Sequence, residues 1–226
     1  MKTWPYDITK LLSWLFFRAG YGLDVRGQEH VPRDGACLVA SNHVSFLDPL
    51  VVGVACPRRL TFMARSTLFA HPLLAAWLRG VGAISLRRGE ADPSAVRTAI
   101  QLLRQGKPMA LFPEGGRQVS GVLGAAKRGV GLLALLAQVP IVPVYVQGTF
   151  QVLPPSAHRL HRAKIRVAFG PPIPYTTSSL PSTDLSKRQI YGQEEGDTSS
   201  RRRQEQLADA VTQGWRRLEE EVHTWS

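Results

Sequence analysis

Short apolar runs recur through most of the chain, at Leu23–Val25, Ala36–Ala40, Leu60–Met63, Ala83–Leu86, Met109–Leu111, Ile141–Val146 and Ile165–Phe169. Most are bounded by polar, Gly or Pro residues, the signature of a buried strand. Between several of them the apolar period lengthens to that of a helix. Pro49–Ala55 is one such segment, His71–Arg79 is apolar on one side, and Asp92–Arg104 carries Val96, Ile100 and Leu103 at helical spacing. Asp92-Pro93 opens the last of these with a side-chain cap and a proline in the first turn. Strands alternating with helices predict an α/β domain, a mixed, mainly parallel sheet flanked by helices. No internal repeat is visible.

The pattern changes at both ends. Near the start, Leu11-Leu12-Ser13-Trp14-Leu15-Phe16-Phe17 is too short to span a bilayer, which takes about 20 residues, and no small-residue cleavage site ends it. Lys2, Lys10 and Arg18 flank it, and Trp4, Tyr6, Trp14, Phe16, Phe17 and Tyr21 load it with aromatic rings. Rings with basic neighbours suit the headgroup zone, so residues 1–21 read as an amphipathic, membrane-binding helical segment. The alternative is a helix docked on its own domain. Residues 176–200 are rich in Ser and Thr and read as a flexible linker. Beyond them Leu207, Val211, Trp215, Leu218 and Val222 recur at three and four, predicting a C-terminal amphipathic helix over 201–226 that folds back on the domain. The α/β domain itself would occupy 22–175.

One more segment resembles a membrane span, because Gly129 to His158 contains no Asp, Glu, Lys or Arg. Pro140 and Pro143 interrupt it, and Ile141–Val146 is β-branched. A buried helix over Gly131–Ala137, a turn and a core strand explain it better.

Charge narrows the choice of partner. The 226 residues include 28 Lys and Arg against 17 Asp and Glu, a net charge of +11. Such an excess points to an anionic partner: nucleic acid, an acidic protein, a phosphate-bearing substrate or an anionic membrane. No recognition helix or aromatic stacking motif accompanies it, which argues against nucleic acid. Between Asp48 and Glu90 there is no acidic residue, yet Arg58, Arg59, Arg65, Arg79, Arg87 and Arg88 all fall there. The two cysteines, Cys37 and Cys56, give neither a disulfide framework nor metal-ligand spacing and read as core thiols of a reducing compartment.

Two stretches carry candidate chemistry. Ser41-Asn42-His43-Val44-Ser45-Phe46-Leu47-Asp48 follows a strand-like run, and its Ser45–Asp48 portion resembles a capping box opening a helix. That places His43 at a strand-to-helix turn on the carboxyl edge of the sheet, where open α/β sheets bind ligands. Asp48 can reach back to one imidazole nitrogen and leave the other as an acceptor. Without a G-x-S-x-G elbow or another nucleophile, the pair suits deprotonation of a substrate hydroxyl better than formation of an acyl-enzyme. A capping Asp beside a structural His is the competing reading, and an α/β hydrolase would need a nucleophile the sequence does not show.

The second stretch, Phe112-Pro113-Glu114-Gly115-Gly116-Arg117, follows another short strand. Its glycines allow close backbone approach to a phosphate, and Arg117 can fork onto the oxygens. Arg87-Arg88 and Lys127-Arg128 stand at the ends of neighbouring elements, and the three basic clusters suggest one anionic pocket.

Over Gly22 to Pro174 the chain resembles the glycerolipid acyltransferases, in particular the bacterial lysophosphatidic acid acyltransferases. His43–Asp48 resembles their HxxxxD block, Gly82–Arg88 the second block, Phe112–Arg117 the F-P-E-G-x-R block, and Val139–Val144 the V-P-[IV]-[IV]-P-[IV] strand, in the same order. Gly116 and Gln118 depart from the Thr and Ser common there. The resemblance implies that His43 is a general base oriented by Asp48. It would deprotonate the free hydroxyl of a lysophospholipid, which attacks an acyl thioester on CoA or acyl carrier protein. It also implies that Glu114, Gly115 and Arg117 shape the acceptor site, with Arg88 and Lys127 near the phosphate. No metal or redox cofactor is implied. A monotopic association with the cytoplasmic face of an anionic membrane is the expected location. Another lysolipid acceptor, such as a lyso-aminolipid, remains the alternative substrate.

Overall fold

The structure is a computed structural model and describes residues 4–86, 92–157, 159–175 and 198–225. Seven strands form one sheet: β1 (Asp24–Arg26), β2 (Leu38–Ser41), β3 (Thr61–Arg65), β4 (Ile84–Leu86), β5 (Met109–Leu111), β6 (Ile141–Gln147) and β7 (Arg166–Phe169). The helices are α1 (Trp4–Tyr21), α2 (Asp48–Ala55), α3 (Pro72–Gly80), α4 (Pro93–Arg104), α5 (Gly129–Ala137), the single turn α6 (Thr149–Val152) and α7 (Thr198–His223). The spatial strand order is β1-β7-β6-β2-β5-β3-β4. Every neighbouring pair is parallel except β6–β7. The expected mixed, mainly parallel sheet is therefore present.

Alternation along the central strands divides the core. Val39, Ala110, Val142 and Val144 point to one face, where Phe17 of α1 and Val51 and Val52 of α2 cover them. Leu38, Ala40, Met109 and Ile141 point to the other, beneath α4, α5 and α7. A strand covered on both faces has to be apolar at every position, which is why the central strands read as continuous runs. Pro143 is tolerated in β6 because pairing with β7 begins only at Val144, and its carbonyl still accepts the Gly170 N–H at 2.8 Å.

The helix signals resolve individually. Asp92 caps α4, accepting from Ser94 N at 3.2 Å and Ala95 N at 3.1 Å, a cap worth about 1 kcal/mol. Only half of the capping box at α2 forms. Asp48 accepts the Ser45 N–H, but the Ser45 hydroxyl donates to Leu153 O at 2.8 Å and accepts only the Leu47 N–H, at 3.3 Å, not that of Asp48. The charge-free stretch from Gly129 forms the buried helix α5 and the core strand β6, and no described helix is long and apolar enough to cross a membrane.

Helix α7 does fold back, burying Leu207, Val211, Trp215, Leu218 and Val222, and it starts at Thr198, ahead of the expected Arg201. Of the expected linker, residues 176–197 lie outside the described residues. Gly131 permits the close passage of α7, since a β-carbon there would stand 2.4 Å from the Gln204 carbonyl.

Candidate active site

Strands β2 and β5 are parallel neighbours, with Ala40 opposite Leu111. The loops that follow them must leave from the same carboxyl edge of the sheet. This brings two motifs that are far apart in sequence into contact. The His43 N–H donates to Glu114 Oε2 at 2.7 Å across 71 positions, and the His43 carbonyl accepts the Gln118 N–H at 2.8 Å. The second motif thus clamps the main chain of His43 from both sides.

The side chain is held as firmly. His43 Nδ1 lies 2.9 Å from Asp48 Oδ2, and the same oxygen accepts from Val44 N and Ser45 N, each at 2.7 Å. An oxygen surrounded by three donors is a carboxylate acceptor, so Nδ1 carries the proton. Nε2 is left with its lone pair, and no described residue bonds it. The Phe112 ring stacks on the imidazole at 4.3 Å between centroids, with 26° between the planes. Asn42 fixes the preceding turn to β6, donating to Val146 O at 3.0 Å and accepting Val146 N–H at 2.8 Å. The loop is preorganised down to the choice of tautomer.

Glu114 is buried, and both its oxygens are engaged, Oε2 by His43 N–H and Oε1 by Gly124 N–H at 3.0 Å. Burial outweighs these hydrogen bonds and pushes its pKa up to about 7. A carboxyl raised in the folded state adds stability that is complete below its ordinary value of 4.5 and is lost as pH rises through about 7. The native protein should therefore lose melting temperature relative to Glu114→Gln between those pH values. Parallel thermal melts of the two proteins would show it, and parallel curves would mean that Glu114 titrates normally.

The basic residues assemble in part. Gly115 has φ 77°, the left-handed region that glycine favours. A β-carbon there would lie 2.8 Å from Lys127 Nζ, so the glycine makes room for the ammonium group. The Lys127 N–H also donates to Pro113 O at 2.8 Å, seating it on the same turn. The Arg117 guanidinium stacks on the Phe46 ring, 3.4 Å from its centroid, with Nη1 buried and without a hydrogen-bond partner. Burial, followed by the like charge of Arg65, lowers its pKa. A buried guanidinium nitrogen with nothing to donate to is chemically suited to an anion's oxygens. His43, Asp48, Glu114, Gly115, Arg117 and Lys127 thus belong to one edge of the sheet, whereas Arg88 lies outside the described residues. Among those residues no group of three or more His, Cys, Asp or Glu is placed to hold a metal ion.

Comparison with known proteins gives this arrangement its family. The sequence model of the Acyltransferase family matches residues 22–147, more than half of the chain. The chain belongs to that family. A 1-acyl-sn-glycerol-3-phosphate acyltransferase of Bacillus subtilis (strain 168) is 29% identical over 154 residues, covering 67% of this chain and 74% of the relative. The alpha form from Bos taurus is 36% identical over 178 residues, 77% of this chain and 61% of the relative. Against the chloroplastic enzyme BAT2 of Brassica napus the match is 28% over 176 residues, 76% of this chain but only 51% of the relative. Among solved structures, the 1-acyl-sn-glycerophosphate (LPA) acyltransferase PlsC from Thermotoga maritima superposes with a TM-score of 0.74 at 21% identity, covering 98% of this chain and 81% of that one. That last likeness establishes the fold. The family match ends at Gln147, so α7 lies beyond it.

Several residues that build the site escape a sequence reading. Phe46 and Phe112 pass for ordinary apolar residues of a motif, although their rings hold Arg117 and His43. Thr212 and Trp215 act from α7. The Thr212 hydroxyl accepts Ala126 N–H at 3.0 Å, immediately before Lys127, and Trp215 Nε1 donates to Ala40 O at 2.8 Å, at the end of β2 that leads into the His43 turn. Asn42 carries the one usable signal, an amide directly before the histidine at a strand end.

Proposed function

We propose that the chain transfers an acyl group from a thioester, acyl-CoA or acyl carrier protein, to the free hydroxyl of lysophosphatidic acid, giving phosphatidic acid. The observation that carries this reading is the free Nε2 of a histidine locked through Nδ1 onto Asp48, on the same sheet edge as the unpartnered Arg117 guanidinium. The names of the relatives support the choice of acceptor.

The chemistry follows from the proton inventory. Nε2 takes the acceptor's hydroxyl proton while the oxygen attacks the thioester carbonyl carbon. The tetrahedral intermediate collapses, the carbon–sulfur bond breaks, and the departing thiolate takes the proton back from the imidazolium. Asp48 stabilises that imidazolium without accepting a proton itself. Among the described residues, an acyl-enzyme route finds no nucleophile beside His43. The Ser45 hydroxyl is committed to Leu153 O, and burial pushes the Cys37 thiol up to about 12. Glu114 serves by fixing the His43 main chain, while Arg117 and Lys127 face the phosphate. Helix α1 attaches the domain to the bilayer that holds the acceptor.

Incubating the purified protein with acyl-CoA or acyl carrier protein and a panel of lysolipids, and weighing the product, tests the reading. Phosphatidic acid is the expected product. Free fatty acid alone would indicate a hydrolase, and an acylated lyso-aminolipid a different acceptor. Arg117→Lys should raise the KM for lysophosphatidic acid about 10–100-fold, because a point charge cannot reproduce a forked, desolvated contact worth about 1.5–3 kcal/mol. Unchanged kinetics in both KM and kcat would remove Arg117 from the site.

A further inference from the structure

The outward surface of α1 is inverted relative to an ordinary packed helix. At about 100° per residue, Trp4, Ile8, Leu11, Leu12 and Leu15 fall on one side, and all five are exposed, Leu12 by 61%. The opposite side holds the domain: Phe17 is buried, Tyr6 OH accepts Leu60 N–H at 3.0 Å, and Lys10 Nζ donates to Cys56 O at 2.6 Å. Arg18 also turns inward, to Leu23 O at 3.2 Å. Two of the cations expected to meet headgroups are thus occupied by the domain, and Lys2 lies outside the described residues.

The apolar stripe does not stop at α1. On its flank, Thr9 accepts a hydrogen bond from Trp77 Nε1 at 3.1 Å, and Pro5 packs against Gly80. Helix α3 buries Ala75 and Leu78 and turns Leu73, Ala76 and Trp77 outward, with Leu73 exposed by 89%. Leu68, in the 3-10 turn Ser66–Ala70 that leads into α3, is exposed as well. No acidic residue occurs between Asp48 and Glu90, and Arg65 and Arg79, both exposed, bracket the turn and the helix. Arg65 ends β3 and is near enough to Arg117 for the two charges to interact, so this surface begins at the mouth of the site.

We infer that Leu68, Leu73 and Trp77 form a second lipid-inserting element beside α1, and that the two together make a single docking face for an anionic bilayer, with Arg65 and Arg79 at the headgroups. Leucine and tryptophan side chains rimmed by arginines, with the one acidic residue of α1, Asp7, neutralised by Arg59 at 2.6 Å, match the apolar interior and negative surface of such a membrane. This inference rests on the lipid-acceptor reading. Its consequence for that reading is that the acceptor would slide from the bilayer onto the sheet edge without leaving lipid.

The test uses the full chain. Cys37 and Cys56 are buried, so a cysteine introduced at Leu73 takes an environment-sensitive fluorophore selectively. Leu12→Cys reports on α1, and Gln213→Cys, on α7 across the sheet, serves as the control. With vesicles of phosphatidylcholine and phosphatidylglycerol, the probes at 73 and 12 should shift to the blue and be quenched by spin-labelled acyl chains, while the probe at 213 should not. Leu73→Glu, at a position with no packing to lose, should weaken vesicle binding about tenfold or more and lower activity on bilayer-embedded acceptor. It should leave activity on a soluble short-chain acceptor unchanged. A probe at 73 that stays in water while the one at 12 enters lipid would overturn the inference. So would a blue shift at 73 that grows with protein concentration in the absence of vesicles, since a second copy would then cover the face. Failure of acyl transfer on every acceptor would refute the proposed function separately, because the lipid probes do not depend on turnover.

Discussion

Replacing His43 with alanine is expected to lower turnover by about 10²–10⁴ and to leave the fold in place. The two effects separate because the loop depends on the main chain of His43, not on its ring. Its N–H to Glu114 and its carbonyl to Gln118 survive the substitution. What disappears is one of three donors on Asp48 and the stack on Phe112. The lost bond to the carboxylate is worth about 1.5–3 kcal/mol and the stack about 0.5–1.5 kcal/mol. A single-turnover assay beside a thermal melt would read both. Residual turnover above about a tenth of the native rate, far outside the loss of a general base, would place the base elsewhere.

The centre of the sheet was legible because β2, β5 and β6 are buried on both faces. Runs such as Ile141–Val146 carry no polar residue, and all seven strands lie within a few residues of the runs that announced them. The pairing order was not legible. Nothing local in Ala36–Ala40 or Met109–Leu111 says that β5 inserts beside β2 and not beside β4, which precedes it, yet that adjacency creates the site.

The charged residues of the site could be named because their chemistry is unusual for their positions. Their supports could not, because they act through geometry. Ser45 reads as a cap but bonds Leu153, and Lys10 reads as a headgroup contact but bonds Cys56. In both cases a partner distant in sequence took a side chain for which local rules had a different use. Thr212 and Trp215 show the same limit from the other end of the chain. Helical spacing predicts that α7 is amphipathic, but not that its buried face holds the peptide beside Lys127 and the carbonyl beneath His43.

Asp48 separates two kinds of damage, so its two substitutions should differ in kind. The Asp48 Oδ2 atom collects three donors, while Oδ1 is buried without a partner. In Asp48→Asn the amide oxygen must take the Oδ2 place, because an NH₂ group there would confront the N–H groups of Val44 and Ser45. The amide nitrogen then falls on the empty side. The loop survives, Nδ1 of His43 still donates, and the tautomer stays correct. Only the negative charge that steadies the imidazolium is lost, a charge-assisted bond worth about 1.5–3 kcal/mol, or about 10–150-fold in turnover. In Asp48→Ala all three donors lose their acceptor inside a buried turn. Each orphaned donor costs about 1–3 kcal/mol, so turnover should fall to the level of His43→Ala and the melting temperature should drop as well. Turnover and melting curves for both variants decide the matter. An asparagine variant as inactive as the alanine variant, with a similarly lowered melting temperature, would mean that the amide had flipped, orphaning the Val44 and Ser45 N–H groups and trapping the wrong tautomer.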